Sequence, residues 1–280
     1  MNVFSVLEGD NPVILAQPHG GTYVPVELLA RFNDRGKELA DTDWHINKLY
    51  AALLGDNTVV QSHIHRYVID ANRDPRDASL YPGQNTTSLC PLSDFDGNPI
   101  YRQGEEPSND EIEYRRSMYH RPYHAALSEQ IERLKRKHPA VVVFDCHSIR
   151  SKIPFLFAGT LPDFNIGTHD GRSCCQEIQS SVERKCADAK GYTHIVNGRF
   201  KGGWTTRHYG QPDRGIHAIQ LELAQFTYMQ ESAPWGYDEH KAKKLRTHLA
   251  EIIRELVTLL TTGQHRSSSS AHTPELSNGQ

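Results

Sequence analysis

The chain is 280 residues long, 37% hydrophobic and 23% charged, with a formal net charge of -3 at pH 7, which suffices for the core of one large domain. Near-neutral charge and the lack of a long basic run leave no phosphate-binding stripe, so a small-molecule substrate is expected and a nucleic-acid partner is not. No apolar run approaches the roughly 18 residues that span a bilayer, the segment after Met1 has no signal-peptide pattern, and the five cysteines lack metal-ribbon or disulfide spacing, so a soluble cytoplasmic protein is expected.

Taken in order, Pro12 to Gln17 is a short apolar run that reads as a strand and delivers Pro18-His19-Gly20-Gly21. Pro25 to Arg35 has helical spacing in Val26, Leu28, Leu29 and Phe32. Asp41-Thr42-Asp43-Trp44-His45 precedes the periodicity of Ile46, Leu49, Tyr50 and Leu53, so the two aspartates read as the cap and first turn of a helix, or one of them as a metal ligand. Thr58 to Gln61 and Arg66 to Asp70 read as two further strands. The second leads into Ala71-Asn72-Arg73-Asp74, where Asn72 and Arg73 are suited to hold a carboxylate, or else form a polar turn with local ion pairs. Residues 79–110 are rich in Gly, Pro, Asn, Ser and Asp, which predicts either disorder or a lid over a site, and we favour the lid. Glu111 to His138 is the clearest helix, kinked or restarted at Pro122.

Ala140 to Phe144 reads as a strand buried on both faces that ends in Asp145-Cys146-His147-Ser148-Ile149-Arg150. Ile153 to Gly159 is expected to be another strand, and Asn165 to Cys175 a loop feeding a helix that runs to Lys190. Cys174 at that helix start is either a nucleophile of lowered pKa or a packed thiol. Thr193 to Asn197 is strand-like, 198–210 is a glycine-rich turn carrying Arg199, Arg207 and His208, and Gly215 to Leu223 is a strand containing Glu222. A carboxylate on a buried strand is costly unless paired, which marks Glu222 as functional or as half of a salt bridge. Tyr237 to Thr261 closes the chain as an amphipathic helix, and residues 264–280 read as a disordered tail. Alternating strands and helices over residues 1–263 predict one α/β domain, a three-layer sandwich around a mostly parallel or mixed sheet.

Sites in open α/β sheets lie at the carboxyl ends of strands, so His19 and His147 are expected to share one. Two histidines, an aspartate and a further carboxylate fit a hydrolytic zinc site, where three protein ligands leave a position open and the carboxylate takes a proton from water. There is no His-Glu-x-x-His, and Thr22 stands where a His-x-x-Glu pair would need its glutamate.

The ordered set Pro18-His19-Gly20-Gly21, Asp41-Thr42-Asp43-Trp44-His45, Asp70-Ala71-Asn72-Arg73-Asp74, Asp145-Cys146-His147-Ser148, Gly202-Gly203-Trp204-Thr205-Thr206-Arg207-His208-Tyr209-Gly210 and Gln220-Leu221-Glu222-Leu223 resembles the N-formylglutamate amidohydrolase (deformylase) family. The resemblance runs from about His19 to about Gln225. It implies a zinc exopeptidase-like fold and hydrolysis of N-formyl-L-glutamate to formate and glutamate, within histidine degradation. It implies His19, His147 and Asp43 as ligands of a divalent metal, most simply Zn2+, with Asp41 the fallback for Asp43. By the same resemblance Glu222 is the general base and then general acid, Arg66 polarises the formyl oxygen, Asn72 and Arg73 grip one substrate carboxylate, and Arg207 takes the second.

Three other readings share these residues. A hydrolase of another N-acyl amino acid would keep the metal and base and differ in its acyl pocket and arginines. A non-catalytic sensor of an acidic metabolite would use Arg73 and Arg207 and tolerate Glu222→Gln. A metal-free hydrolase would depend on Cys174. Cys146, His45 and His169 lie beside the motifs, His45 as a ligand or a partner to one, and the sequence carries no signature of an oligomeric state.

Overall fold

Among the described residues seven strands form one sheet: β1 (Phe4–Leu7), β2 (Val13–Gln17), β3 (Thr58–Ser62), β4 (Val141–Ile149), β5 (Phe164–Gly167), β6 (His194–Val196) and β7 (Ile216–Ala224). Their order is β1-β3-β2-β4-β7-β5-β6. β3, β2, β4 and β7 run parallel, β1 is antiparallel to β3, and β5 is antiparallel to β7 but parallel to β6. The helices are α1 (Val26–Leu29), α2 (Asp34–Lys37), α3 (Ile46–Tyr50), α4 (Asn109–Arg115), α5 (Arg121–Lys135), α6 (Gln176–Asp188), α7 (Trp204–Tyr209) and α8 (Glu239–Thr262), with a π-helical turn, Arg116–His120, joining α4 to α5. This computed structural model describes residues 2–80 and 83–263. The tail expected at 264–280 lies outside the described residues.

The strand period of two sorts the core into two layers. Val13, Leu15, Val142, Phe144, Ile219 and Leu221 pack with Ile178 and Val182 of α6 and Leu245, Leu249 and Ile252 of α8. The alternate residues Ile14, Ala16, Val141, Val143 and Ala218 pack with Tyr123, Leu127, Ile131 and Leu134 of α5. Each fully buried aliphatic side chain contributes about 1.5–3 kcal/mol, so two apolar faces demand helices on both sides. The expected three-layer α/β sandwich results, and its sheet is mixed. Among the described residues no helix is long and apolar enough to cross a membrane.

Several expected elements differ. Arg66 to Asp70 forms turns instead of a strand, because β3 already has β1 and β2 on its two edges and Val68 and Ile69 bury instead against Phe32, Leu89, Ile100 and Tyr101. Ile153 to Gly159 is likewise a turn, with Ile153 packed on Phe95, Ile149 and Leu161. Phe164–Gly167 is β5, although Asn165 to Gly167 read as the start of a loop, and the N-terminal β1 carried too short a pattern to be read. The single helix expected at Pro25 to Arg35 divides where Asn33 caps α2 by accepting from Gly36 N–H. The helix around Pro122 is continuous through the π turn, in which the Arg121 N–H reaches back to the Arg116 carbonyl. Within 79–110, Leu89, Cys90, Ile100 and Tyr101 are buried, so this stretch is built onto a small core of its own.

Candidate active site

β4 does not end at Asp145 but runs on to Ile149, so Asp145 and His147 project from within a strand buried along its whole length. They share the α5 face with Gln220 and Glu222 of β7, because Asp145 pairs with Gln220 and His147 with Glu222 in the parallel ladder. His19 comes just after the adjacent β2, and its carbonyl accepts from the Asp43 N–H at 3.2 Å, tying the turn before α3 to the strand exit. His19, Asp43 and His147 thereby come together, each buried, with one donor atom from each lying within 4.8 Å of the others.

The two imidazoles meet through Nδ1, 3.1 Å apart, and Asp43 Oδ2 lies 3.2 Å from Nδ1 of His147. Behind them, His19 Nε2 is 2.6 Å from Asp70 Oδ1 and His147 Nε2 is 2.9 Å from Asp145 Oδ1. Asp145 Oδ1 is buried and has no aligned hydrogen bond, so a proton on His147 Nε2 is what answers it, and each histidine then presents a lone pair on Nδ1. Two facing lone pairs and a carboxylate oxygen are a cation's donor set, and an imidazole backed by a carboxylate is the usual arrangement of a metal-binding histidine. Charge points the same way, since three buried carboxylates, Asp43, Asp70 and Asp145, stand against the histidines, while the buried Arg66 guanidinium pairs with Asp70 and Asp43. Burial, reinforced by Arg66, pushes the His19 pKa down and keeps its ring neutral. Burial opposes charge on His147 as well, but Asp145 and Asp43 outweigh it and lift that pKa well above the ordinary value, a demand for positive charge that a divalent cation satisfies. The residues fit a metal ion of mixed nitrogen and oxygen preference.

His19 and His147 line a cleft whose wall also includes Arg66, Asn72, Arg73, Arg199, Gln220 and Glu222. Glu222 is buried, and the loss of water pushes its pKa up to about 8 despite the attraction of His147 and Arg66. Its Oε2 accepts from Gln220 Nε2 at 3.1 Å, and Gln220 is held in that orientation because its Oε1 accepts from Gly203 N–H at 2.7 Å. Arg66 donates to Asp70 Oδ2 at 3.1 Å and to Asp43 Oδ1 at 3.5 Å, and lies over the Phe95 ring. Asn72 Oδ1 accepts from Thr205 N–H at 2.8 Å, which turns its Nδ2 to donate to Asp145 Oδ2 at 3.3 Å, the carboxylate behind His147. Arg73 donates to the carbonyl and the hydroxyl of Thr87 at 3.0 and 3.1 Å.

Some expected residues fall elsewhere. Arg207, on α7, does not line the cleft, and its Nε donates to the Gly202 carbonyl at 2.9 Å. Arg199 does line it, donating to the carbonyls of Leu156 and Asn85 at 3.0 Å each. Asp41 turns away from the histidines and accepts from the Tyr67 hydroxyl and the Phe95 N–H, both at 2.7 Å. His45 bonds the Trp235 carbonyl at 2.7 Å, and Cys146 points into the α6–α8 layer. Cys174 is buried, and burial pushes its thiol up to about 12, the opposite of an activated nucleophile. Asp70 and Gln220 were not singled out from sequence; Asp70 had a usable signal, a carboxylate closing the apolar run Tyr67-Val68-Ile69, as Asp145 closes its own.

Comparison with known proteins gives this geometry a context. The sequence profile described as N-formylglutamate amidohydrolase matches residues 11–229. A protein named N-formylglutamate deformylase from Pseudomonas aeruginosa is 45% identical over 94% of this chain and 98% of its own length. Another of that name, from Pseudomonas putida, is 42% identical over 91% of this chain and 96% of its own. A crystal structure described as N-formylglutamate amidohydrolase from Ralstonia eutropha JMP134 shares the fold with a TM-score of 0.77 at 24% identity, across 93% of this chain and 99% of that one. A match over most of the chain, with identity of this order, establishes that the chain belongs to the N-formylglutamate amidohydrolase family.

Proposed function

We propose that this protein hydrolyses N-formyl-L-glutamate to formate and L-glutamate with a divalent metal, Zn2+ by the character of the donors, held by His19, Asp43 and His147. The observation that carries the reading is the convergence of that buried His-Asp-His group with Glu222 and three arginines on one cleft; the names of the relatives supply the substrate. When bound, the cation polarises the formyl oxygen and makes water acidic enough to react near neutral pH.

Glu222 accepts a proton from the attacking water and returns it to the amide nitrogen as the C–N bond breaks, so the glutamate product leaves as an amine. A nearby divalent charge favours the ionised form of Glu222 against the burial that now opposes it. Gln220 keeps that carboxylate turned into the cleft. Arg66 carries positive charge beside Asp43 and His19 and stabilises the negative charge that grows on the formyl oxygen. Asn72 donates to Asp145, the carboxylate behind His147, and Arg73 binds one substrate carboxylate. Arg199 takes the second carboxylate in place of Arg207, because it lines the cleft. Two guanidinium anchors suit a dicarboxylate.

Formate release from N-formyl-L-glutamate by the purified protein, before and after chelation and with zinc, manganese or cobalt restored, tests this. Activity lost to the chelator and regained with one metal is the expected result. Turnover of N-acetyl or N-carbamoyl glutamate without the formyl compound would overturn the substrate, and full activity in protein shown by elemental analysis to be free of metal would overturn the mechanism.

A further inference from the structure

Residues 70–73 carry the carboxylate behind His19 and the Asn72–Arg73 pair, yet they belong to no strand or helix. Their carbonyls therefore have no ladder to join and need other donors. The Asp70 carbonyl accepts the Arg73 N–H at 3.2 Å within the turn, and the other three take donors from outside the cleft. His124 Nε2 donates to the Ala71 carbonyl at 2.7 Å, and His120 Nε2 donates to the Arg73 carbonyl at 3.1 Å. Between them the Asn72 carbonyl accepts the Trp204 N–H at 3.3 Å.

The two histidines are four residues apart, one closing the π turn and the other in α5, and their ring centroids lie 4.3 Å apart. Trp204 packs against both, at 5.5 and 4.5 Å. The Tyr209 hydroxyl lies 3.0 Å from Nδ1 of His124, which suits the tautomer with the proton on Nε2. Burial lowers the pKa of both rings, so they remain neutral donors. The π turn matters to this placement: one residue more or fewer in a helix rotates every later side chain by about 100°, which would carry one of the two rings off its carbonyl. Neither ring lines the cleft that holds His147, Glu222 and Arg73.

We propose that His120 and His124 are positioning residues for substrate binding, setting the backbone of Ala71 to Arg73 so that Asn72 donates to Asp145 behind His147 and Arg73 faces the substrate carboxylate. The inference rests on the reading of Arg73 as a carboxylate anchor. Both imidazoles act through main-chain carbonyls, so the effect of losing one is a displaced anchor and not a lost metal ligand.

The test compares His120→Leu and His124→Leu, which remove the donor, with His120→Gln and His124→Gln, whose amide nitrogen can take the place of Nε2, in the metal-loaded enzyme. Kinetics are measured with N-formyl-L-glutamate and with its two analogues lacking one carboxylate each, alongside metal content and Arg73→Ala. The leucine variants are expected to raise KM about 10-fold or more with metal content unchanged, and the glutamine variants to restore it to within a few-fold. The penalty should vanish for the same analogue whose KM is insensitive to Arg73→Ala. A KM rise equal for all three substrates, or none, overturns the proposal while leaving the Arg73 assignment standing. If Arg73→Ala itself leaves KM unchanged, the anchor reading falls and takes the proposal with it. Should a leucine variant not fold, His120→Asn, whose amide stops short of the carbonyl, must give the same selective loss.

Discussion

His147 of β4 and Glu222 of β7 are register partners in a parallel ladder, so their side chains leave the same face of the sheet on neighbouring strands. The imidazole proposed as a metal ligand and a carboxylate of raised pKa are thus set side by side by backbone hydrogen bonds alone. Glu222→Gln is nearly isosteric and should leave the metal group intact. We expect turnover to fall by about 10²-fold to 10⁴-fold with metal content and substrate affinity retained; a variant keeping more than a tenth of wild-type turnover would remove Glu222 from the proton transfers.

The carboxylates behind the histidines should govern metal retention. Asp70→Asn removes the charge 2.6 Å from His19 Nε2, and Asp145→Asn the one 2.9 Å from His147 Nε2. Each is expected to weaken metal binding about 10- to 100-fold, measured by competition with a chromophoric chelator. Wild-type affinity in both would show that the carboxylates merely fill the core.

Arg199 and Arg207 make opposed predictions. Losing a charge-assisted contact costs about 1.5–3 kcal/mol, so Arg199→Ala should raise KM roughly 10- to 100-fold. Arg207→Ala should change it less than about threefold, because that side chain bonds the Gly202 carbonyl away from the cleft. The reverse pattern of KM values would return the second carboxylate to Arg207.

A pH-dependent contribution to stability comes from residues that do not line the cleft. Glu111 bonds Arg31 at 2.7 Å and also Arg115, which in turn holds the Val68 carbonyl and Tyr101 hydroxyl at 3.0 Å. Burial raises the pKa of Glu111, but the two guanidinium groups outweigh it and the net shift is downward. A depressed carboxylate contributes stability above its unfolded pKa of about 4.3 and loses it as pH falls through the lower folded value. Glu111→Gln should therefore destabilise the protein by about 1–2 kcal/mol at pH 7, with the gap in Tm narrowing as pH falls below about 4. A gap that stays constant on acidification would assign the loss to packing instead of charge.

The chain's local chemistry was sufficient for much of this architecture. Apolar runs too short for helices marked β2, β3, β4, β6 and β7, and the 3.6-residue period marked α5, α6 and α8, because both signals depend only on which residues a buried face will accept. The His19, Asp43, Asn72-Arg73, His147 and Glu222 motifs stood out as costly polar groups beside apolar runs, but it was the resemblance of the ordered set to a known family that joined them into one site. The apolar run before Asp70 misled, reading as a strand, because burial favours such residues whether or not a sheet edge is free to receive them.

Contacts between distant segments were decided only by the tertiary structure. It separates Asp43 from Asp41 by giving Asp41 the Tyr67 hydroxyl and Phe95 N–H as partners, 26 and 54 residues away in the chain. It brings Arg199 rather than Arg207 to the cleft through the carbonyls of Leu156 and Asn85. Spacing cannot supply these choices: within one turn of chain either aspartate, or either arginine, satisfies the same local rules, and the chain folded around them determines which is left facing the site.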